Sequence, residues 1–191
     1  MSPTPPKSGQ KPAGSADALA LVSFWAGSSA FWFAKNAEFD RVFKDRFFPL
    51  YSQVAARKHD DWIASTDEAL ALVILTDQFP RNAFRGTARM YETDALARHY
   101  ASKALGAGYM KQVEPDLRLF LCLPFAHSEN RLDQNLSVKL NASLGEPWLS
   151  HAKGHREITR CFGRFPHRNQ ILGRVSTPAE QAYLGGGGFQ G

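Results

Sequence analysis

Long apolar runs, paired cysteines, phosphate-cradling glycine loops and a dominant charge of one sign are all missing from this chain of 191 residues. The longest clean apolar run, residues 69–75, falls far short of the roughly 18 residues that a membrane span requires, so no membrane partner is expected. Cys122 and Cys161 lie far apart in apolar, helix-like stretches without C-x-x-C spacing. That pattern excludes a disulfide scaffold and predicts two buried thiols in a reducing, cytoplasmic compartment. There is no Gly-x-Gly-x-x-Gly, no Gly-Lys-Ser/Thr and no Gly-x-Ser-x-Gly, which removes support for nucleotide cofactors and for serine-hydrolase chemistry; no cofactor is expected. The formal net charge of +5 includes Lys7 and Lys11 near the start, and the remaining basic residues are interspersed with acidic ones. Without a basic stripe or an interleaved aromatic platform, nucleic acid is not an expected partner.

What is present is enough apolar material, 43% of residues, for one core. Residues 1–14, made largely of Pro, Ser, Lys and Gly, read as a disordered tail with no targeting pattern, residues 15–184 as one all-helical domain, and residues 185–191 as a flexible glycine-rich tail that Phe189 can anchor.

The helices are legible from apolar spacing. From Asn36 onward Phe39, Val42, Phe43, Phe47, Leu50, Tyr51 and Val54 form an amphipathic stripe, with Pro49 predicting a kink or break. Ser65 and Glu68 have the spacing of a capping box before residues 69–75, which are apolar on every face and predict a central buried helix. Thr93 reads as the N-cap of a helix ended by Gly106 and Gly108. A helix over Leu117, Phe120, Leu121 and Leu123 runs towards Pro124, where a bend or stop is expected. Leu132, Leu136, Leu140 and Leu144 mark another, and a further one buries Ile158 and Phe162 before Gly163. Thr177-Pro178-Ala179-Glu180 combines N-cap, N1 proline and capping-box glutamate. No alternating strand pattern of useful length accompanies them. Short connections between helices predict a single-domain all-α stack of antiparallel helical hairpins.

Three polar phrases interrupt this pattern. Phe79-Pro80-Arg81-Asn82 and Phe165-Pro166-His167-Arg168-Asn169 repeat one wording, each after a helix-like stretch, and read as two matching corners. His127-Ser128-Glu129 breaks an apolar run between them. In a purely structural role, Arg81 and Arg168 would cap carbonyls at helix ends, where the dipole favours a cation. In a functional role, two guanidinium forks on facing corners would clamp a carboxylate or phosphate, aided by Arg85 and Arg164. His127 is the side chain suited to proton exchange near neutral pH, with Glu129 setting its tautomer. Asp77, opposing a helix dipole, calls for an Arg or His partner. His151 and His155 stand four apart like a zinc pair, but the intervening residues lack a glutamate, and no metal is expected.

Residues 70–85 (LALVILTDQFPRNAFR), 123–134 (LPFAHSENRLDQ) and 161–177 (CFGRFPHRNQILGRVST) resemble the bacterial family catalogued as domain of unknown function 924, over roughly residues 21–184. The resemblance implies an all-helical fold grouped with tetratricopeptide-like proteins and no established activity. Residues that fall on its motif phrases include Asp77, Gln78, Arg81, Asn82, Arg85, His127, Ser128, Glu129, His155, Arg164, His167, Arg168 and Asn169; His151 does not.

Three functions remain open at this point. The first is a binding module that grips a small anionic molecule or a peptide carboxylate through Arg81, Asn82, Arg85, His155, Arg164, Arg168 and Asn169. The second is an enzyme on such an anion, with His127 or His167 as general acid or base and Asp77 or Glu129 orienting it. The third is a scaffold with structural corners and a protein partner on its outer surface.

Overall fold

Helices supply all the regular structure among the described residues, in an order that follows the apolar stripes. The structure, a computed structural model, describes residues 15–191; the tail expected over residues 1–14 lies outside the described residues. The protein forms α1 (Ala16–Ala26), α2 (Ala37–Ala55), α3 (Thr66–Val73), α4 (Phe79–Ala83), α5 (Asp94–Gly106), α6 (Arg118–Ala126), α7 (Arg131–Ala142), α8 (Trp148–Phe162) and α9 (Pro178–Gly185), with short 3₁₀ turns between several of them. No described helix is long and apolar enough to cross a membrane.

The α2 helix starts where Asn36 Oδ1 accepts the Phe39 N–H at 2.9 Å and buries Phe39, Phe43, Phe47, Leu50, Tyr51 and Val54. Val42, expected on this stripe, is 37% exposed. Pro49 neither breaks nor ends the helix. It sits on the exposed side, as does Asp45 four residues earlier, so water can meet the carbonyl that the missing N–H leaves open. A ring cluster then ties the first half together. Trp25 lies 5.2 Å from Phe43 and 5.3 Å from Phe120, and Phe43 lies 5.3 Å from Phe79.

The α3 helix is buried along residues 69–73, as its all-round apolarity predicts, and packs against α1, α5 and α6. It does not end at the first Phe-Pro phrase. A π turn over Ile74–Gln78 leads into α4, with the Phe79 N–H donating to Ile74 O and Phe79 itself helical at φ −55° and ψ −49°. The expected corner is therefore a bulge inside a continuous helix. Pro80 cannot donate to Thr76 O four residues back; Thr93 Oγ1 does so instead at 2.6 Å. That commitment explains why Thr93 does not cap α5 with its side chain, contrary to expectation. Ser65 likewise makes no cap bond, because its Oγ donates to Glu68 Oε2 at 2.6 Å while Glu68 Oε1 accepts the Ser15 N–H at 2.6 Å. The Thr177–Glu180 capping box is formed in full.

The second half stacks α6 on α7 and α7 on α8. The α6 helix continues past Pro124 to Ala126. Leu132, expected inside, is 74% exposed, and α7 instead buries Gln134, Ser137 and Asn141. Gln134 Nε2 donates to Ala126 O at 2.8 Å and to Ser128 O at 2.6 Å. The last carbonyls of α6 need donors more than this face of α7 needs leucines. Of the two cysteines, Cys122 is buried and its thiol is pushed up to about 12 by desolvation. Cys161, expected to be buried, is exposed on the outer face of α8, where its thiol donates to Glu157. Gly163, left-handed at φ 69°, stops α8, and Phe165 at φ −91° and ψ 107° makes the second Phe-Pro phrase a true corner.

Candidate functional site

The π turn aims Asp77 inward at the end of the most buried helix, where its side chain is 1% exposed. Its Oδ1 lies 2.8 Å from His127 Nδ1 and 3.2 Å from Arg81 Nη1, and its Oδ2 accepts Gln78 Nε2 at 2.6 Å. Burial alone would raise this carboxyl, but Arg81 and His127 outweigh burial and hold it down at about 2. Arg81 Nη1 also donates to Asp77 O at 2.7 Å and lies 2.9 Å from Asp94 Oδ1.

Asp94 is the hinge of the arrangement. Its other oxygen, Oδ2, is 3.5 Å from Arg168 Nη1, so one carboxylate tethers the two guanidinium groups. The Arg168 side chain is 8% exposed and lies between two rings, 4.5 Å from the Tyr91 centroid and 4.7 Å from Phe165, while its Nη2 donates to His127 O at 2.9 Å. Both arginines thus cap carbonyls, as the structural reading supposes, and each keeps one buried guanidinium nitrogen without a partner among the described residues: Arg81 Nη2 and Arg168 Nε. Burial and the neighbouring Arg81 press Arg168 below its ordinary value.

These groups line a cavity of about 540 Å³. Arg81, Asn82, Arg85, His127, His155, His167 and Arg168, all expected at the site from sequence, belong to its wall, and Asp77 lies behind them. Three residues expected there are engaged elsewhere. Glu129 Oε1 accepts the Phe165 N–H at 2.9 Å and Arg174 Nη1 at 2.8 Å, so Asp77 rather than Glu129 orients His127. Arg164 makes a two-pronged pair with Glu180 at 2.6 and 2.8 Å, and Asn169 Nδ2 donates to Ser176 Oγ at 3.0 Å. Arg85 and Asn82 reach the wall but share Asp40. Ser128 Oγ donates to Asp133 and is not free to act as a nucleophile.

Sequence reasoning missed Asp94 and Tyr91. Asp94 follows an apparent N-cap threonine in the first turn of α5, where an acidic residue is already explained by the helix dipole. It also missed the aromatic wall, where Trp32 and Phe33 come from the connection between α1 and α2 and Trp148 from the start of α8. The density of aromatics over residues 31–33, in a connection rather than a helix, was the available signal. Phe189 does anchor the glycine-rich end, its ring 5.0 Å from His155 and 5.1 Å from His167.

The imidazoles are buried as neutral groups. Desolvation lowers His155 to about 3, with the charges of His127, Arg168, His167 and His151 acting the same way. Desolvation and Arg168 lower His167 to about 4, against a smaller opposing pull from Glu129. His127 moves down as well, by burial and Arg81, against Asp77. Above the ordinary histidine value of 6.5 these groups are neutral in the folded and unfolded protein alike. Below it, the unfolded protein takes protons that the folded one refuses, so stability falls as pH drops towards about 4, by up to about 1.4 kcal/mol per pH unit for each group. Melting temperatures measured from about pH 8 to about pH 5 are expected to stay level and then decline, and His155→Gln is expected to flatten the decline. Parallel curves for wild type and variant would show that His155 is not buried neutral.

A family model described as bacterial protein of unknown function (DUF924) matches residues 21–188. The solved structure of a protein of unknown function from Agrobacterium tumefaciens is similar to this chain, with 48% sequence identity and a TM-score of 0.86, covering 87% of this chain and 96% of that one. No curated protein matches.

Proposed function

The chain belongs to the bacterial DUF924 family, and we propose that it binds a small organic anion in the cavity walled by Arg81 and Arg168. The observation that supports this is the pair of buried guanidinium nitrogens, Arg81 Nη2 and Arg168 Nε, that have no acceptor among the described residues. A buried donor left unmade costs about 1–3 kcal/mol, more when charged, so an anionic acceptor recovers a loss that the empty protein carries. The cavity volume falls in the range of ligand sites, and a few convergent polar groups on a mainly apolar wall match their usual composition.

The test is a thermal-shift screen of acetate, phosphate, sulfate and C-terminal dipeptides on wild type and Arg168→Ala. Ligand at about 100 times its dissociation constant adds about 2.7 kcal/mol, or on the order of 5 to 10 °C at this size. Stabilisation of wild type that the variant loses supports the site. A screen in which no anion shifts the wild type, while Arg168→Ala only melts earlier, overturns it in favour of structural corners.

A second reading is favoured by one contact. Asp77 holds His127 by Nδ1 at 2.8 Å, which leaves Nε2 for the cavity, and the imidazole is depressed and therefore neutral near pH 7. That is the state a general base requires, with water rather than Ser128 as the group it would activate.

A further inference from the structure

The unpartnered guanidinium groups and the wall around them differ in character, and the difference bears on what the anion carries. Arg81 Nη2 and Arg168 Nε belong to guanidinium groups that the two oxygens of Asp94 tie to one another, and neither nitrogen has an acceptor among the described residues. Such donors suit an anionic acceptor. Charge favours a carboxylate over a phosphate. Asp77 and Asp94 already offset Arg81 and Arg168 one for one, so a monoanion adds one uncompensated charge to this buried ground and a dianion adds two.

Away from this polar end the wall is mainly apolar, with Trp32, Phe33, Leu119, Leu123 and Trp148 beside Lys35, Asn141 and His151. Trp32 is fixed by its Nε1–H on Trp25 O at 2.8 Å and by Phe120, whose ring is 4.8 Å away, and Phe33 leans on Trp148 at 5.6 Å. Phe33 is nonetheless 59% exposed, an aromatic side chain held at the cavity rim with most of its surface unburied. A single-headed polar ion such as acetate or phosphate would leave that wall wet. A ligand that carries an apolar body behind its carboxylate would cover it.

Building on the anion site described above, we propose that the ligand is a small monocarboxylic acid with an aryl or acyl body, its carboxylate on Arg81 and Arg168 and its body against Trp32, Phe33 and Trp148. The free acid is favoured over the C-terminus of a peptide because the body's wall is mostly aromatic and aliphatic carbon.

Calorimetric titration of the full-length protein with acetate, butyrate, hexanoate, phenylacetate, phenylacetamide, N-acetylphenylalanine and inorganic phosphate tests this. Affinity is expected to rise about fourfold per methylene from acetate to hexanoate, the fold-change equivalent of about 0.8 kcal/mol per buried CH₂, and phenylacetate is expected to exceed acetate at least as strongly as hexanoate does. Phenylacetamide, which keeps the body and loses the charge, is expected to bind more than about tenfold more weakly than phenylacetate. Trp148→Ala should flatten the dependence on acyl length, weakening hexanoate and phenylacetate more than acetate, a readout that a simple loss of folding would not give. Equal binding of acetate and hexanoate, or preference for phosphate, overturns the acid class and leaves the anion site standing. Tighter binding of N-acetylphenylalanine than of phenylacetate moves the assignment to peptide C-termini. Absence of binding by every anion in the series overturns both this assignment and the site on which it rests.

Discussion

Replacing Arg168 with alanine is expected to cost about 3–5 kcal/mol of stability, the range found when one partner of a buried ion pair is removed. The guanidinium fills the space between Tyr91 and Phe165, meets the carbonyl of His127 at 2.9 Å and shares Asp94 with Arg81. Alanine leaves a gap between two rings, a carbonyl at the end of α6 without its donor, and Asp94 facing one cation instead of two. In a protein of 191 residues this corresponds to a fall in melting temperature on the order of 10 °C. Arg168→Lys separates the contributions, because lysine keeps the charge but cannot stack as a plane or reach two acceptors at once; it is expected to recover less than half the loss. Urea unfolding of the three proteins measures this directly. A change under about 1 kcal/mol in Arg168→Ala would mean that the rings and Asp94 close over the gap without it.

Much of this constellation was legible before the structure because the residues that make it break a pattern. Arg81, His127 and Arg168 interrupt helical apolar periodicity, and a cation or imidazole in such a place needs a partner. What periodicity does not encode is which carboxylate answers. Glu129 is two residues from His127 in sequence, yet it turns to Phe165 and Arg174, while Asp77, fifty residues away, takes the imidazole. The π turn decides this, and it arises from the conflict between a buried helix and Pro80, which local patterning reads as a corner. The same limit explains Leu132. Its spacing fits a buried stripe, but the end of α6 demands hydrogen-bond donors, so Gln134 of α7 is drawn inward and Leu132 is left outside. The family match fixes the membership of the protein and says nothing of these contacts.

Asp77→Asn is expected to show the second large effect, and its pH dependence distinguishes charge from shape. The Asp77 carboxyl sits at about 2 in the folded protein against 3.8 ordinarily. A carboxyl depressed in this way contributes stability that is complete above pH 3.8 and is lost as pH falls through about 2, on the order of 2–3 kcal/mol at neutral pH. Asparagine keeps the shape and an oxygen for His127 Nδ1, but it removes the charge that Arg81 faces at 3.2 Å. The gap between wild type and variant in urea unfolding should therefore hold from neutral pH down to about 6.5, widen below that as His127 of the variant refuses its proton longer, and narrow below about 4, because protonated Asp77 is itself uncharged. The imidazole reports independently. Without the neighbouring carboxylate, which pulls His127 upward against burial and Arg81, its titration by NMR should move further down in the variant. A gap that does not change with pH would assign the loss to packing of the amide. A gap near zero with His127 unmoved would mean that Asp94 alone balances Arg81, and that the imidazole is oriented by the carbonyl end of α6 and not by Asp77.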